Sequence, residues 1–158
     1  MNSARSGGLY VGRLEPINGS ALVLEALSLF PAVRLRVVGD GAEQAAARAS
    51  AMARAAYLVL PESGDELPRT VVEAFANGLP VIAARDGACA ELIEPGRNGL
   101  FFAPGSAREL ARRLAWAEAF PERMRRMGEC AKADYHARFV AHWSYPSLFG
   151  ERRRVARV

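Results

Sequence analysis

Two hydrophobic periods alternate along this chain. Short runs rich in β-branched and other apolar residues read as strands: LYVGRL at 9–14, LRVVGD at 35–40, YLVLP at 57–61, LPVIAA at 79–84 and NGLFFA at 98–103. Between them the apolar positions recur at helical spacing. Leu22, Val23, Ala26 and Leu27, with Phe30 just beyond, share one face of a helix over 20–29, for which Ser20 is the candidate N-cap. Residues 43–57 form an alanine-rich, strongly helix-prone stretch. A further helix is expected over 68–78, where Pro68 suits the first turn and Gly78 the C-terminal end. Residues 88–94 predict a short helix, and an Asn98-Gly99 turn opens the strand that follows. Two longer helices occupy 104–120 and 121–139. The capping box Ser106-x-x-Glu109 introduces the first of them and is expected to satisfy backbone amides at both positions.

Strand and helix alternate with short connections, which calls for a parallel sheet of about five strands with helices on both faces, a three-layer α/β domain. The 158 residues, 51% hydrophobic and 24% charged, suffice for one such domain with its own core. We expect a short tail at 1–7, the domain at 8–150 and a basic tail at 151–158 containing Arg152, Arg153, Arg154 and Arg157. Lys and Arg number 21 against 17 Asp and Glu, a net charge of +4. That surplus and the tail alone would argue for a nucleic-acid partner, so none is expected. Cys89 and Cys130 are far apart and form no CxxC pair, so neither a disulfide framework nor a zinc site is indicated. No apolar run approaches ~18 residues, so a membrane span is not expected and a cytoplasmic location is.

Ligands of open parallel sheets bind beyond the carboxyl ends of the strands. The loops to inspect are therefore 12–19, 39–43, 62–70 and 84–91. In the first, Gly12 permits a close backbone turn and Arg13 could clamp a phosphate with two donors, or pair with Glu15 at the surface. In the third, amides at Leu67, Arg69 and Thr70 would be free at a helix N-terminus, where the dipole favours an anion. Asp65 lies just before that helix and Glu73 one turn into it; either carboxylate could accept from vicinal hydroxyls, or Asp65 and Glu66 could simply cap the helix. The GDG turn at 39–41 lacks the dinucleotide fingerprint, and there is neither a GKS/GKT loop nor a G-x-S-x-G elbow. His136 and His142 have no partners at metal-ligand spacing. Trp116, Phe120, Phe139, Trp143 and Tyr145 read as helix-packing residues rather than a stacking platform.

The succession LYVGRLEPINGSALVLEAL, LRVVGDGAE, YLVLPES and DELPRTVVEAFANGLPVIAARDGACAELIEPGRNGLFFAPGSARELARRL resembles the C-terminal, donor-binding domain of family 4 (group 1) glycosyltransferases. The resemblance covers roughly 8–145. It implies a Rossmann-like half of a retaining GT-B enzyme, with a nucleotide-diphosphate sugar as co-substrate and no metal or other cofactor. It further implies that Gly12, Arg13, Asn18, Leu67, Pro68, Arg69 and Thr70 surround the donor diphosphate, that Asp65 and Glu66 flank the sugar, and that Glu73 takes the ribose. No catalytic residue is assigned. Three substitutions depart from the family pattern: Asp65 stands where a glutamate is usual, Glu66 where a glycine is usual, and Asn18 where a lysine is usual. A single helix over 43–56 also replaces a longer connection, so one βα unit is missing. Strand 35–38 is then expected at an exposed sheet edge, open to pairing with a second copy. The expected partner is an N-terminal, acceptor-binding Rossmann domain, without which the chain is expected to be inactive; membrane contact would come only through the acceptor. The alternative is a non-catalytic remnant serving as a binding or assembly module.

Overall fold

The computed structural model describes residues 4–12, 18–61 and 69–140. Five strands, β1 (Gly8–Val11), β2 (Leu35–Val38), β3 (Tyr57–Leu60), β4 (Val81–Ala84) and β5 (Gly99–Phe102), pair in parallel in the order β2-β1-β3-β4-β5. Among the described residues six α-helices accompany them: α1 (Asn18–Leu29), α2 (Ala45–Arg54), α3 (Arg69–Ala76), α4 (Cys89–Leu92), α5 (Ala107–Ala119) and α6 (Pro121–Tyr135). The strand order is 3-2-1-4-5-6 without its outermost strand. One 3-10 turn (Ala42–Gln44) and α2 join β2 to β3 directly, so the expectation of a short connection and an exposed β2 holds. Among the described residues β2 pairs only with β1, and Val37 is 41% exposed on it.

Side chains along each strand alternate between two cores, because successive Cβ atoms point to opposite faces. Leu9, Leu58, Val81, Ala83 and Phe101 meet Met52 of α2, Val71 and Phe75 of α3, and Leu92 of α4. Tyr10, Tyr57, Val59, Ile82 and Phe102 meet Val23 and Ala26 of α1 and Leu110 and Leu114 of α5. Helix α6 contributes Met124 and Met127 to the second core and Ala131 to the first. All four residues of β4 are buried, as an apolar strand covered on both faces requires.

Helix α6 reaches the sheet across two glycines. Gly78, at φ +71, ends α3, and a Cβ placed on Gly128 of α6 would lie 2.2 Å from the Gly78 carbonyl oxygen. Only a glycine on α6 allows this approach. On the facing core, Tyr57 donates its hydroxyl to Glu118 at 2.8 Å, and burial, with that carboxylate beside it, pushes the phenol pKa up.

Four local expectations need correction. Ser20 is not an N-cap: α1 already begins at Asn18, and the Ser20 hydroxyl is buried 2.9 Å from the Tyr10 hydroxyl. The left-handed residue before β5 is Gly96, at φ +84, whereas Gly99 is a strand residue whose Cβ would strike the Val81 carbonyl at 2.3 Å. Asn98 is instead a buried side chain that organises this turn. In the capping box, Ser106 Oγ accepts from Glu109 N–H at 3.1 Å, but Glu109 Oε1 reaches back to the Ala103 amide at 2.7 Å, because Ser106 N–H already donates to Ala103. Ser106→Ala should therefore lower unfolding free energy by about 1 kcal/mol in urea titrations, the usual cost of losing such a cap. An unchanged urea midpoint would contradict it. Finally, α6 stops at Tyr135, and His136–Val140 continue as a π-helical turn.

The histidine and aromatic readings fare unevenly. His136 is exposed, its ring edge-on to Tyr135. Trp116 packs on the second core, whereas Phe120 is 46% exposed and merely leans on Trp116 with ring centroids 5.0 Å apart. Phe139 lies against Tyr135; His142, Trp143, Tyr145 and the basic tail lie outside the described residues.

Candidate functional site

The strand order reverses at β1. From β1 the chain moves outward to β2, then crosses back to place β3 on the other side of β1. Crossing helices leave to opposite faces at such a point and open a crevice at the strands' carboxyl ends. Gly12 lies there, at φ +136, a conformation that L side chains rarely adopt. Its amide donates to the Val38 carbonyl at 2.8 Å, holding the end of β1 against the end of β2. The Tyr10–Ser20 hydroxyl pair ties β1 to the first turn of α1. The end of β1 and the first turn of α1 are thus each held in place. Arg13 lies outside the described residues, and of Asn18 only its place at the start of α1 is described.

Helix α3 is the next described element after β3. Its apolar residues Val71, Ala74 and Phe75 are buried, which seats the helix on the sheet and turns its other face outward. Arg69 is exposed and Thr70 half-buried at its start; Asp65, Glu66, Leu67 and Pro68 lie outside the described residues. Glu73 is on the outer side, with its side chain 35% exposed and Oε1 3.4 Å from Arg48 Nε. Arg48, only 12% exposed, also donates from Nη1 to the carbonyls of Gly39 at 3.4 Å and Gly41 at 3.1 Å. One guanidinium therefore joins the turn after β2 to α3. Gly12, through Val38, and Glu73, through Arg48 and Gly39, meet around the same strand end.

Sequence reasoning missed Arg48, although a signal was present. Arg48 precedes Ala51, Met52 and Ala55 by three, four and seven residues, which is the buried stripe of α2. An arginine at the head of an apolar stripe needs acceptors, and here it has them. The fourth loop adds Arg85, exposed at the end of β4 with its guanidinium 4.4 Å from the centroid of the Phe101 ring.

The opposite end of the strands differs in character. There Arg5 donates to the carbonyls of Met52, Ala55 and Asn77 at 2.9, 3.3 and 2.6 Å, satisfying the C-terminal ends of α2 and α3 together. Burial lowers the Arg5 pKa. A cavity of about 860 Å³ opens beside it, lined by Arg54, Gly78, Gly128 and Lys132 among others. It faces the amino ends of the strands, away from the crevice. Among the described residues no cluster of His, Cys, Asp or Glu has the makings of a metal site, and no helix is long and apolar enough to cross a membrane.

Comparison with known proteins fits this architecture. The family model for glycosyl transferases group 1 matches residues 48–134. A GDP-mannose-dependent alpha-mannosyltransferase of Mycobacterium tuberculosis is 36% identical over 113 residues, covering 61% of this chain and 30% of its own length. Sulfoquinovosyl transferase SQD2 of Arabidopsis thaliana is 26% identical over 128 residues, covering 67% of this chain and 25% of its own. Anabaena Alr3699/HepE, solved in complex with UDP, superposes with a TM-score of 0.72 at 20% identity, over 98% of this chain and 47% of that one. The C-terminal domain of the group 1 protein LpcC of Francisella tularensis gives a TM-score of 0.65 at 18% identity, over 84% of this chain and 86% of that domain. The chain thus spans a quarter to a third of the length of the curated relatives it matches. With more than half of its residues inside the family model and the Rossmann-like fold shared throughout, the chain belongs to the group 1 glycosyltransferases.

Proposed function

We infer that this chain is the donor-binding domain of a glycosyltransferase: it holds a nucleoside-diphosphate sugar at the crevice of β1, β2 and β3, and an acceptor-binding domain completes the transfer. The observation that carries the reading is Glu73, a half-exposed carboxylate held beside the strand ends at the switch point of the sheet. Such a group accepts hydrogen bonds from a vicinal diol such as ribose. The relatives' names, which include a GDP-mannose-dependent enzyme, and a fold shared with a UDP complex support the same ligand class.

In this reading Arg13, with the amides of Arg69 and Thr70 and the backbone at Gly12, Leu67 and Pro68, surrounds the diphosphate. Fixed donors there oppose the negative charge that develops as the diphosphate departs. Asn18 supplies no cation, so Arg13 carries more of that load. Asp65 and Glu66 lie toward the sugar, and the transfer proceeds with retention. No metal enters the scheme.

Isothermal titration with UDP, GDP and their sugars tests the reading. Binding of one nucleotide series is expected, and Arg13→Ala should weaken it by about 10-fold or more, the scale of a lost charge-assisted contact. Absence of binding to all of them at millimolar concentration overturns the reading and favours the non-catalytic module.

A further inference from the structure

Arg48, its side chain only 12% exposed, sits at a place where an alanine-rich helix would ordinarily put an apolar residue. Its neighbours on the same stripe, Ala51, Met52 and Ala55, are each no more than 2% exposed. Burying a guanidinium costs free energy unless acceptors replace its water. The acceptors here come from two different elements: the carbonyls of Gly39 and Gly41 after β2, and the carboxylate of Glu73 on α3. The short connection between β2 and β3 makes this possible, since only the 3-10 turn Ala42–Gln44 separates the Gly39–Gly41 turn from α2.

The arrangement divides the Glu73 carboxylate. Oε1 faces Arg48, while Oε2 has no protein partner among the described residues. A glutamate with one oxygen tethered has lost much of its rotamer freedom before any ligand arrives. A carboxylate still offers about four lone-pair positions, so the tethered oxygen retains capacity as well.

Building on the reading of Glu73 as the ribose contact, we propose that Arg48 is a positioning residue that presets this carboxylate for a ribose diol and locks it to the turn after β2. Arg48 acts through Glu73 and touches no ligand itself. The cost of ordering Glu73 is met on folding, so it is not charged against binding. Discrimination between a ribose and a 2′-deoxyribose nucleotide then depends on Arg48, although Arg48 contacts neither. The planar fork matters because Nε and Nη1 serve different elements at once; a lysine ammonium provides the charge but not the fixed angle between its contacts.

Titration calorimetry with UDP and GDP, each against its 2′-deoxy counterpart, reads this directly. For the series it binds, the wild-type chain should prefer the ribonucleotide by about 10-fold or more, the scale of a hydrogen bond to a charged group. Arg48→Gln should bring that preference below about 3-fold, Glu73→Gln should do the same, and the double variant should lose no more than either alone. Arg48→Lys should fall between wild type and Arg48→Gln. Thermal melting of each variant separates this from loss of fold. Should Arg48→Gln not fold, Arg48→Lys is read on the same ratio, and a wild-type ratio in that variant overturns the proposal. A full ribose preference in Arg48→Gln alongside its loss in Glu73→Gln overturns the role of Arg48 and leaves the donor-site reading standing. Failure of the wild-type chain to bind either nucleotide overturns both.

Discussion

Replacing Gly128 with alanine is expected to destabilise the protein by about 2 kcal/mol, even though helix propensity alone predicts a gain of ~1 kcal/mol for Gly→Ala inside a helix. The reason is the approach of α6 to the end of α3. The new Cβ would sit 2.2 Å from the Gly78 oxygen, 3.2 Å from its carbonyl carbon and 3.4 Å from Pro80 Cδ. Two of these are backbone atoms, and Gly78 is itself held at φ +71. Neither can rotate aside as a flexible side chain would. Helix α6 would have to lift, loosening Met127 and Ala131 from the two cores they join. Overpacking of this kind costs roughly 1–3 kcal/mol or more, which exceeds the propensity gain. Urea unfolding followed by circular dichroism decides the matter. A midpoint equal to or above wild type would mean that α6 shifts freely and that the glycine pair is not a constraint.

Asn98→Ala is expected to cost roughly 3 kcal/mol, because it leaves buried polar groups unpaired. Asn98 is 1% exposed. Its Oδ1 accepts from the Glu94 amide at 2.8 Å, while Nδ2 donates to the Leu92 carbonyl at 3.3 Å and to Asp134 at 2.7 Å. The Asn98 side chain thus fastens the turn before β5 to α6. Burial alone would raise the Asp134 pKa, but hydrogen bonds from Arg97 and Asn98, with the charges of Arg97 and Arg138, outweigh it and hold the carboxyl below the ordinary value of 3.8. A carboxyl depressed in the folded state contributes stability that is complete above its unfolded pKa and disappears as pH falls through the folded one. Wild type should accordingly lose this contribution below about pH 4. Asn98→Asp reverses the sign: two facing carboxylates raise one another's pKa, so that variant's deficit should shrink as pH falls through the carboxylate range. Urea midpoints for wild type and both variants, taken from pH 7 to pH 3.5, test this. A deficit for Asn98→Asp that stays constant with pH would refute the pairing.

The fold was legible in the sequence wherever a residue's partner is the sheet face beneath it. YLVLP and LPVIAA became β3 and β4, and the stripe of Val23 and Ala26 became the buried face of α1. Burial on a period of two or of 3.6 is a local signal. Pairwise polar contacts are not local. Ser20 looked like a cap because capping is a relation among near neighbours, yet its hydroxyl meets Tyr10 on a strand ten residues earlier. Asn98 looked like a turn residue, yet its amide reaches Asp134 on α6, 36 residues away. The site followed the same rule. Gly12 and Glu73 stood out by their loop and helix positions, while Arg48 depends on acceptors 7, 9 and 25 residues away that no spacing announces.

The strand order carries a consequence for how the sheet is assembled as the chain is made. β2 adds beside β1, β3 takes the free side of β1, and β4 and β5 then extend that same side in turn. Every strand joins an edge already present, and none must be inserted between two paired neighbours. A nascent chain can therefore build this sheet by accretion, without undoing any earlier pairing. Since parallel pairing over a crossover is slow and leaves apolar edges exposed meanwhile, an order without rearrangement shortens the interval in which those edges can find the wrong partner.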